Sequence, residues 1–321
     1  MDRKPTERLR ELLARDELTV APLVFNPLTA QLAQHVGFKV AFVGGYGIGA
    51  DVGVGEPLLT ATEMVEATAR IVNAVSVPVV ADAGAGFGTL VHTRRVVRDF
   101  EQVGTAGIHI EDQIVPKRVG YHRSQVDIVP MDEMVAKIEV ALEARRDPSF
   151  LLIARTDARG ARNGGFDEMR RRIIAYAAAG ADAVMCFPAN EREAEEVVQW
   201  TDKPAIYVIA EGRKTRPELD VETLRRLGYK MAIFSEGSLL ASYAATKRFY
   251  EAVMTTGKGE LPPDELATHR KDLEAVIGIP RLFPLEDIEW KLAGLAPVGG
   301  HDRPAGDPPA LARGKSRGPR A

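Results

Sequence analysis

An aspartate in the segment PVVADAGAGFGT (78–89) could do chemistry, because it ends an apolar run and precedes glycines at every second position. Such a pattern is typical of a phosphate-binding loop, or of a strand end where Asp82 holds a metal ion. A dinucleotide fingerprint requires a third glycine where Thr89 stands, and an acid about 20 residues later at a second strand end. Asp99 lies instead in a helical pattern, so we favour the metal-site interpretation.

Comparable residues end or follow other apolar runs: Gly44, Gly45, Tyr46, Asp82, Glu111, Asp112, Arg155, Asp157 and Glu211. The carboxyl ends of barrel strands converge on one mouth. Neighbouring acids there could bind a hard divalent cation, and Arg155 could fork onto a substrate carboxylate or phosphate. Glu211 is also predicted to bind the substrate. A structural network of salt bridges is the alternative, but equivalent positions on successive strands favour a binding site.

The elements that would position these residues alternate along the chain. Helical patterns occupy 60–75, 90–104, 131–146 and 166–180, and Thr60 with Glu63 has the spacing of a capping box. Between such patterns lie short runs that are apolar almost throughout, as expected of parallel strands buried on both faces. The runs are 21–26, 40–45, 78–83, 107–112, 151–157, 183–188, 205–210 and 230–235. Eight such repeats predict an α/β fold, a (β/α)8 TIM-type barrel with C-terminal helices.

Composition narrows the possible partners and location. The net charge of −3 gives no basic surface, which argues against nucleic acid. We expect no membrane segment, because no apolar run reaches the ~18 residues that a membrane helix needs. The N-terminus lacks the apolar centre of a signal peptide, and the single cysteine, Cys186, fits a reducing compartment. These features predict a cytoplasmic protein.

Three regions are predicted along the 321 residues. Residues 1–260 form the barrel and carry catalysis. Residues 261–296 form a C-terminal helical arm that prolines divide into several helices. Residues 297–321 are rich in Pro, Gly and Arg with almost nothing to bury, which predicts a disordered tail.

Five segments together resemble the isocitrate lyase/phosphoenolpyruvate mutase superfamily: VFNPLTAQLAQHVGFKVAFVGGYG, PVVADAGAGFG, AGIHIEDQIVPKRVGYH, LIARTDA and AEGRKT. The resemblance keeps its order over most of the chain. It implies a (β/α)8 barrel, a Mg²⁺ cofactor (with Mn²⁺ as the alternative) and a small 2-oxo or 2-hydroxy carboxylate substrate. It also implies enolate chemistry, and a homo-oligomer, dimer or tetramer, in which a C-terminal helix swaps between neighbouring barrels.

Roles follow from this resemblance by position. Asp82 matches the main metal-binding aspartate, and Glu111 matches a second metal contact that is often water-mediated. Arg155 matches the arginine that binds the substrate carboxylate. Gly44, Gly45 and Tyr46 match a loop whose backbone N–H groups bind a substrate carboxylate. Lys117 and Arg118 lie in a mobile loop that closes on the substrate, and we predict that residues 115–130 form this lid.

The chain also departs from the family pattern. Lyases of the family carry K-[KR]-C-G-H in the lid, with the cysteine as general acid, whereas KRVGYH places Val119 at the cysteine and Tyr121 at the histidine. Tyr121 and the adjacent His122 are therefore the candidates for proton transfer. Three further family polar positions hold Gly84, Phe187 and Val208. These replacements predict a less acidic pocket that suits a smaller or more hydrophobic substrate.

Together these observations predict a Mg²⁺-dependent carbon–carbon lyase or decarboxylase. Metal and backbone N–H groups would stabilise the enolate while a lid residue moves the proton. A phosphonopyruvate-type phosphonomutase or hydrolase needs no cysteine acid and is the first alternative. A non-catalytic family member is the second, although the retained Asp82, Glu111, Lys117 and Arg155 argue against it.

Overall fold

Eight parallel strands form the sheet of this computed structural model, which describes residues 3–123, 126–213 and 216–294. The strands run in the order β1-β8-β7-β6-β5-β4-β3-β2. A parallel bridge between Leu23 and Phe42, with the Val24 N–H donating to the Phe42 carbonyl at 2.8 Å, brings the two edges together. The strands are β1 Thr19–Pro22, β2 Ala41–Val43, β3 Val79–Asp82, β4 Gly107–Glu111, β5 Leu151–Thr156, β6 Ala183–Cys186, β7 Ala205–Ile209 and β8 Met231–Phe234. The prediction of a (β/α)8 barrel is confirmed.

Helices alternate with these strands: α1 Pro5–Ala14, α2 Pro27–Val36, α3 Gly45–Val52, α4 Ala61–Ala74, α5 Leu90–Gln102, α6 Met131–Ala144, α7 Phe166–Ala178, α8 Glu191–Val197 and α9 Val221–Leu227. The capping box at the start of α4 is present. The Thr60 N–H donates to Glu63 Oε2 at 2.8 Å, and the Glu63 N–H donates to Thr60 Oγ1 at 3.2 Å. The strands are buried along nearly their whole length, as the absence of alternation in the sequence indicated.

Two local predictions were wrong. The first strand was expected over 21–26, but it ends at Pro22, because Asn26 already caps α2 by accepting the Thr29 N–H at 3.0 Å. Gly44, Gly45 and Tyr46 were expected to lie in a loop, yet most of the glycine-rich segment 44–55 forms α3. Its glycines provide close packing: a Cβ on Gly49 would lie 2.9 Å from the Val54 carbonyl oxygen.

Three further helices follow the last strand: α10 Gly237–Thr256, α11 Pro263–Val276 and α12 Phe283–Leu292. Among the described residues, these helices contain no buried side chain and expose many large apolar ones. One compact unit of the chain extends to Ala267 and contains all eight strands, and a second begins at Thr268. The predicted disordered tail, 297–321, lies outside the described residues.

No helix in the described part of the chain combines the length and the apolar character that a membrane crossing needs.

Candidate active site

Asp82 lies at the carboxyl end of β3 and holds two backbone N–H groups. Its Oδ1 accepts the Gly84 N–H at 2.7 Å, and its Oδ2 accepts the Gly45 N–H at 3.2 Å. Burial alone would raise the pKa of Asp82, but interactions with His109, Lys117, Arg155 and the Gly84 N–H lower it below its ordinary value. Asp82 is therefore a carboxylate at neutral pH.

His109 lies beside Asp82 with its Nε2 3.5 Å from Oδ1, and its ring stacks on Phe42. Burial lowers the pKa of His109 to about 4, although Asp82 opposes this shift. The ring is thus neutral at neutral pH. The ammonium of Lys117 and the guanidinium of Arg155 then carry the charge that stabilises the Asp82 carboxylate.

Glu111 ends β4 directly beside Arg155 on β5, with which it is in register. The Glu111 carboxylate has no solvent exposure, and its Oε2 lies 3.0 Å from Arg155 Nη1 while its Oε1 lies 3.0 Å from Lys117 Nζ. Burial raises the pKa of Glu111 to about 7, against the opposing effect of Arg155 and Lys117. The structure therefore surrounds Glu111 with cations rather than opening it to the cavity.

Arg155 is held on three sides. Its Nε and Nη2 form paired hydrogen bonds with Asp157 at 2.9 and 3.1 Å, and its Nη2 also donates to the Tyr121 hydroxyl at 3.3 Å. The sequence predicted a fork from Arg155 onto the substrate, but this fork is already made to Asp157. A substrate carboxylate would therefore meet an arginine whose plane is fixed in advance.

A buried acid behind the site fixes this arrangement. Asp112 accepts the Asp157 backbone N–H at 2.9 Å, the Thr156 hydroxyl at 2.6 Å and the Tyr176 hydroxyl at 2.9 Å, and it pairs with Arg172 at 3.0 Å. The network thus ties the backbone that carries Asp157 to the helix layer.

Residues 115–123 are the first part of the predicted lid (115–130), and they are called the lid segment below. The lid segment inserts Lys117 among the acids. Lys117 Nζ lies 2.6 Å from Glu56 Oε1, 3.0 Å from Glu111 Oε1 and 4.5 Å from the centroid of the Tyr121 ring. Tyr121 itself is buried, and its ring meets that of His122 edge to face. His122 Nε2 is 3.8 Å from Glu56 Oε2. Glu56 therefore lies within reach of two lid residues.

Some predicted residues reach the site and others do not. Gly44 is the N-cap of α3, so the backbone N–H groups of Gly45 and Tyr46 belong to a helix start rather than to a loop. Arg118 is exposed. Glu211 accepts the Glu236 backbone N–H at 2.9 Å, at the start of α10, instead of facing the central cavity.

Two cavities have Asp82 in their walls. The smaller, central cavity has a volume of about 50 Å³ and is lined by charged and aromatic side chains, among them Asp82, His109, Tyr121, Arg155, Phe187, Arg213, Arg216 and Glu236. The larger cavity, about 380 Å³, lies beneath the lid segment. Gly45, Glu56 and Asp82 line both of them.

The replaced family positions change the character of the central cavity. Phe187 stands between two guanidiniums, with Arg155 Cζ 4.7 Å and Arg216 Cζ 3.6 Å from its ring centroid. Val208 is a further apolar part of its wall. Val119, at the family cysteine position, is 69% exposed and can exchange no proton.

Sequence reasoning missed Glu56, Arg213, Arg216 and Glu236. Glu56 follows the glycine-rich segment by one residue, and this proximity was the available signal. Arg213 pairs with Glu236 at 2.6 Å across two strand ends. The direct pairing of β7 with β8 brings these two residues together.

The carboxylates of the site could hold a divalent cation in only a limited way. Among the described residues, no three His, Cys, Asp or Glu side chains form a ready metal cluster. Mg²⁺, however, typically keeps several waters beside one or two carboxylates. Asp82 is ionised and lines both cavities. Among the described residues, its only side-chain contact of ion-pair type is the 3.5 Å contact with the neutral His109 ring, so Asp82 fits as a direct ligand. Glu111 fits only as an outer partner while Lys117 and Arg155 hold it.

The barrel, with an ionised aspartate and a fixed arginine at its strand ends, belongs to a known class of proteins. The family model for phosphoenolpyruvate phosphomutase matches residues 9–254. The chain belongs to the isocitrate lyase/phosphoenolpyruvate mutase superfamily.

Individual relatives agree with this assignment. The chain is 39% identical to 2,3-dimethylmalate lyase of Eubacterium barkeri over 244 residues, 75% of this chain and 82% of the relative. It is 37% identical to 2-methylisocitrate lyase of Aeropyrum pernix over 284 residues, 86% of this chain and 89% of the relative. The predicted enzyme class, a carbon–carbon lyase, is confirmed by these relatives.

Solved structures show the same architecture. Oxaloacetate acetylhydrolase in complex with 3,3-difluorooxalacetate superposes with a TM-score of 0.81 at 29% identity, covering 92% of this chain and 99% of that one. Phosphonopyruvate hydrolase in complex with oxalate and Mg²⁺ superposes with a TM-score of 0.77 at 27% identity, covering 88% and 98%. The second structure matches the alternative chemistry that the sequence left open.

Proposed function

We propose that this protein cleaves a carbon–carbon bond of a small 2-oxo or 2-hydroxy carboxylate, as a lyase or decarboxylase, through an enolate. The observation that carries the proposal is the Asp82 carboxylate. It is ionised, fixed by two backbone N–H groups, and shares one cavity with Arg155 and Tyr121. The names of the relatives support small carboxylates as the substrate class.

Asp82 would bind a Mg²⁺ ion directly, or Mn²⁺ in its place, with Glu111 as an outer partner. When bound, such an ion supplies positive charge that stabilises a developing enolate oxygen. The Mg²⁺ and oxalate named in the phosphonopyruvate hydrolase structure support this choice. Asp82 accepts the Gly45 and Gly84 N–H groups, which fix the direction of its remaining lone pairs.

Other residues of the chain would bind the substrate and hold the lid segment. Arg155, fixed by Asp157, places one positively charged edge beside the cavity for a substrate carboxylate. The Gly45 N–H is already donated to Asp82, so the Tyr46 N–H at the start of α3 would be the added donor near the same place. Lys117 binds Glu56 and Glu111, which keeps the lid segment over the site. Together these groups would orient the substrate and exclude water.

Tyr121 is proposed as the proton donor. Its hydroxyl accepts a hydrogen bond from Arg155, so the hydroxyl proton is free to point into the cavity. His122 is less suited to donate a proton at neutral pH. Partial burial lowers its pKa despite the opposing effect of Glu56, which favours the neutral ring.

Asp82→Asn tests the central proposal, because it removes the charge and keeps the shape. Turnover would be followed as pyruvate or CO₂ release from a panel of 2-oxo and 2-hydroxy acids with Mg²⁺. We expect a loss in kcat of roughly 10²-fold or more. Asp99→Asn on the surface of α5 is the matched control. Equal activity of Asp82→Asn and the unchanged protein would overturn the assignment.

Cleavage of a P–C bond remains the second candidate, favoured by the absence of an acid at Val119. Phosphonopyruvate belongs in the same panel. Release of phosphate without any carbon–carbon cleavage would select this candidate. A panel without any turnover, together with no measurable Mg²⁺ binding, would select a non-catalytic role.

The assembly is also part of the proposal. Exposed apolar side chains on α10, α11 and α12, including Phe249, Leu266 and Leu285, support burial of these helices against another copy of the chain as a dimer or tetramer. Light scattering coupled to size exclusion tests this, and a monomer at micromolar concentration would contradict it. The 261–296 arm, its swap between neighbouring barrels and a cytoplasmic location stay proposals of the same kind, and the buried free thiol of Cys186 supports the last.

A further inference from the structure

The larger of the two cavities is mostly apolar, although it begins at the charged centre of the site. Its volume of about 380 Å³ lies within the usual range of ~300–1,000 Å³ for ligand pockets, whereas the central cavity holds about 50 Å³. A small 2-oxo acid does not need this additional space. The apolar part of its wall comes mainly from Pro57, Leu59, Met64, Ala85, Phe87 and Pro116.

The polar groups of this cavity lie at the end it shares with the central site. Asp82, Glu56 and Lys117 are there. Thr60, farther along the wall, uses its hydroxyl in the capping box of α4, where it donates to Glu63 Oε2 at 2.8 Å. Apart from Lys117, no described side chain that lines this cavity carries a positive charge that could pair with a carboxylate placed far from Asp82. An alkyl group needs no such partner there.

Phe87 supports a binding role for the apolar wall. It is a non-glycine residue in the left-handed region of the backbone, with φ of 52°. This conformation is unfavourable by about 1–2 kcal/mol for a residue with a Cβ, and glycines stand on both sides of it at Gly86 and Gly88. The chain thus retains an aromatic ring on the cavity wall where glycine would be conformationally easier.

Gly45, Glu56 and Asp82 line both cavities, so a substrate whose carboxylate end lies at Asp82 has its other substituent beside the larger cavity. We propose that the substrate carries an alkyl chain of several carbons on the carbon next to its 2-oxo or 2-hydroxy group, and that this chain fills the larger cavity. The inference rests on the proposed function, which places the carboxylate end at Asp82 and Arg155. Val115 and Pro116 of the lid segment form the outer wall, so a bound chain also adds apolar contacts to the closed lid.

Binding of unreactive analogues tests this without any need for turnover. Oxamate mimics a 2-oxo acid, and N-alkyl oxamates place a hydrocarbon chain where the proposal requires it. Affinities of oxamate and of its N-ethyl, N-butyl and N-hexyl derivatives would be measured by calorimetry with Mg²⁺ present. Each buried methylene is worth up to about fourfold in affinity, so we expect N-butyloxamate to bind at least about tenfold more tightly than oxamate.

Ala61→Phe is the variant that fills the cavity. Ala61 is the first residue of α4 and lines the cavity, and it is only partly buried, so a larger side chain there fits the fold. Thr62→Phe adds a ring on the exposed side of the same turn and serves as the control. We expect Ala61→Phe to bind oxamate as before but to lose the additional affinity that the alkyl chain gives. Thr62→Phe should keep both. Phe87→Ala, which removes part of the wall, should reduce the gain.

The outcomes separate the two proposals. If oxamate binds and the alkyl chain gives no gain, or if the gain persists in Ala61→Phe, the alkyl-chain inference is wrong and the proposed function stands. If neither oxamate nor its derivatives bind, the carboxylate site itself is wrong, and the inference fails with it.

Discussion

Arg155 at the strand ends and Lys117 in the lid segment both contact Glu111, but the two cations are held in place by different means. Arg155 and Asp157 stand on or directly after β5, and Asp112 behind them binds the Asp157 backbone N–H. The side chain of Lys117 is instead held by ion pairs to Glu56 and Glu111. Strand-end groups are thus fixed by backbone and buried hydrogen bonds, whereas the lid depends on a few side-chain contacts.

Fixed contacts and contacts that can break suit different roles in a reaction. A group that must stabilise charge benefits from a fixed position, because no reorganisation is needed during the reaction. A group that must admit substrate and then enclose it needs contacts that can break and form again. The strand ends therefore suit electrostatic stabilisation, and the lid suits closure and proton transfer.

The largest effect is expected for Tyr121→Phe, which removes the lid hydroxyl and keeps the ring. If Tyr121 donates the proton, kcat should fall by roughly 10²–10⁴-fold with a much smaller change in KM. Steady-state kinetics on the best substrate of the panel measures this. His122→Asn is the comparison variant. If Tyr121→Phe keeps full kcat and His122→Asn loses it, His122 is the proton donor and the assignment to Tyr121 is wrong. Full kcat in both would favour protonation by water, and with it decarboxylation or P–C cleavage.

Arg155→Lys tests the strand-end side. A lysine keeps one charge but cannot fork onto Asp157 and reach Glu111 at the same time. We expect kcat/KM to fall by about 10²-fold, mostly through KM, because the carboxylate site loses its fixed geometry. Arg171→Lys on the exposed face of α7 is the control. A variant with unchanged KM would show that Arg155 serves the fold and not the substrate.

Glu56→Gln tests the contacts that hold the lid. It removes the negative charge opposite Lys117 while keeping the size of the side chain. Cleavage by trypsin at Arg118 or Arg123 should become about tenfold faster, as expected from a weakened hydrogen bond between charged groups. Glu66→Gln on the exposed face of α4 should cleave at the original rate. Equal rates for the two variants would mean that Glu56 does not restrain the lid.

The smallest change is expected from Thr156→Val, at the strand ends. It removes the hydroxyl that donates to Asp112 at 2.6 Å and accepts the Ala158 N–H at 3.1 Å. The free energy of unfolding should fall by about 2 kcal/mol, because buried polar groups lose a partner. Urea denaturation measures this, with Thr62→Val as the exposed control. A loss as small as that of the control would show that the network behind Arg155 adds no stability.

Much of the barrel was determined by the sequence itself. The buried strands appear in the sequence as short apolar runs, and the capping box of Thr60 and Glu63 marks the start of α4. Both signals involve residues that are close in sequence, so such elements can be located from the sequence alone. The positions of Asp82, Glu111 and Arg155 at strand ends follow from the same pattern, since parallel strands bring their carboxyl ends to one side. Their catalytic roles remain predictions.

Other features depend on contacts between residues far apart in the chain, and only the tertiary structure decided them. The glycines of 44–55 are typical of a loop in sequence, yet most of the segment forms α3. The glycines there allow close packing against neighbouring atoms, such as the Val54 carbonyl oxygen beside Gly49, and the sequence does not show which atoms these are. Glu56 meets Lys117 across 61 positions because the lid segment lies over the strand ends. Arg213 meets Glu236 across 23 positions because β7 pairs with β8. The apolar cavity beside Asp82 is a space between elements, and no single segment of the sequence encodes its size. Short-range patterns record burial and helix caps, whereas the partners of a charge and the volume of a cavity are set by how the elements pack.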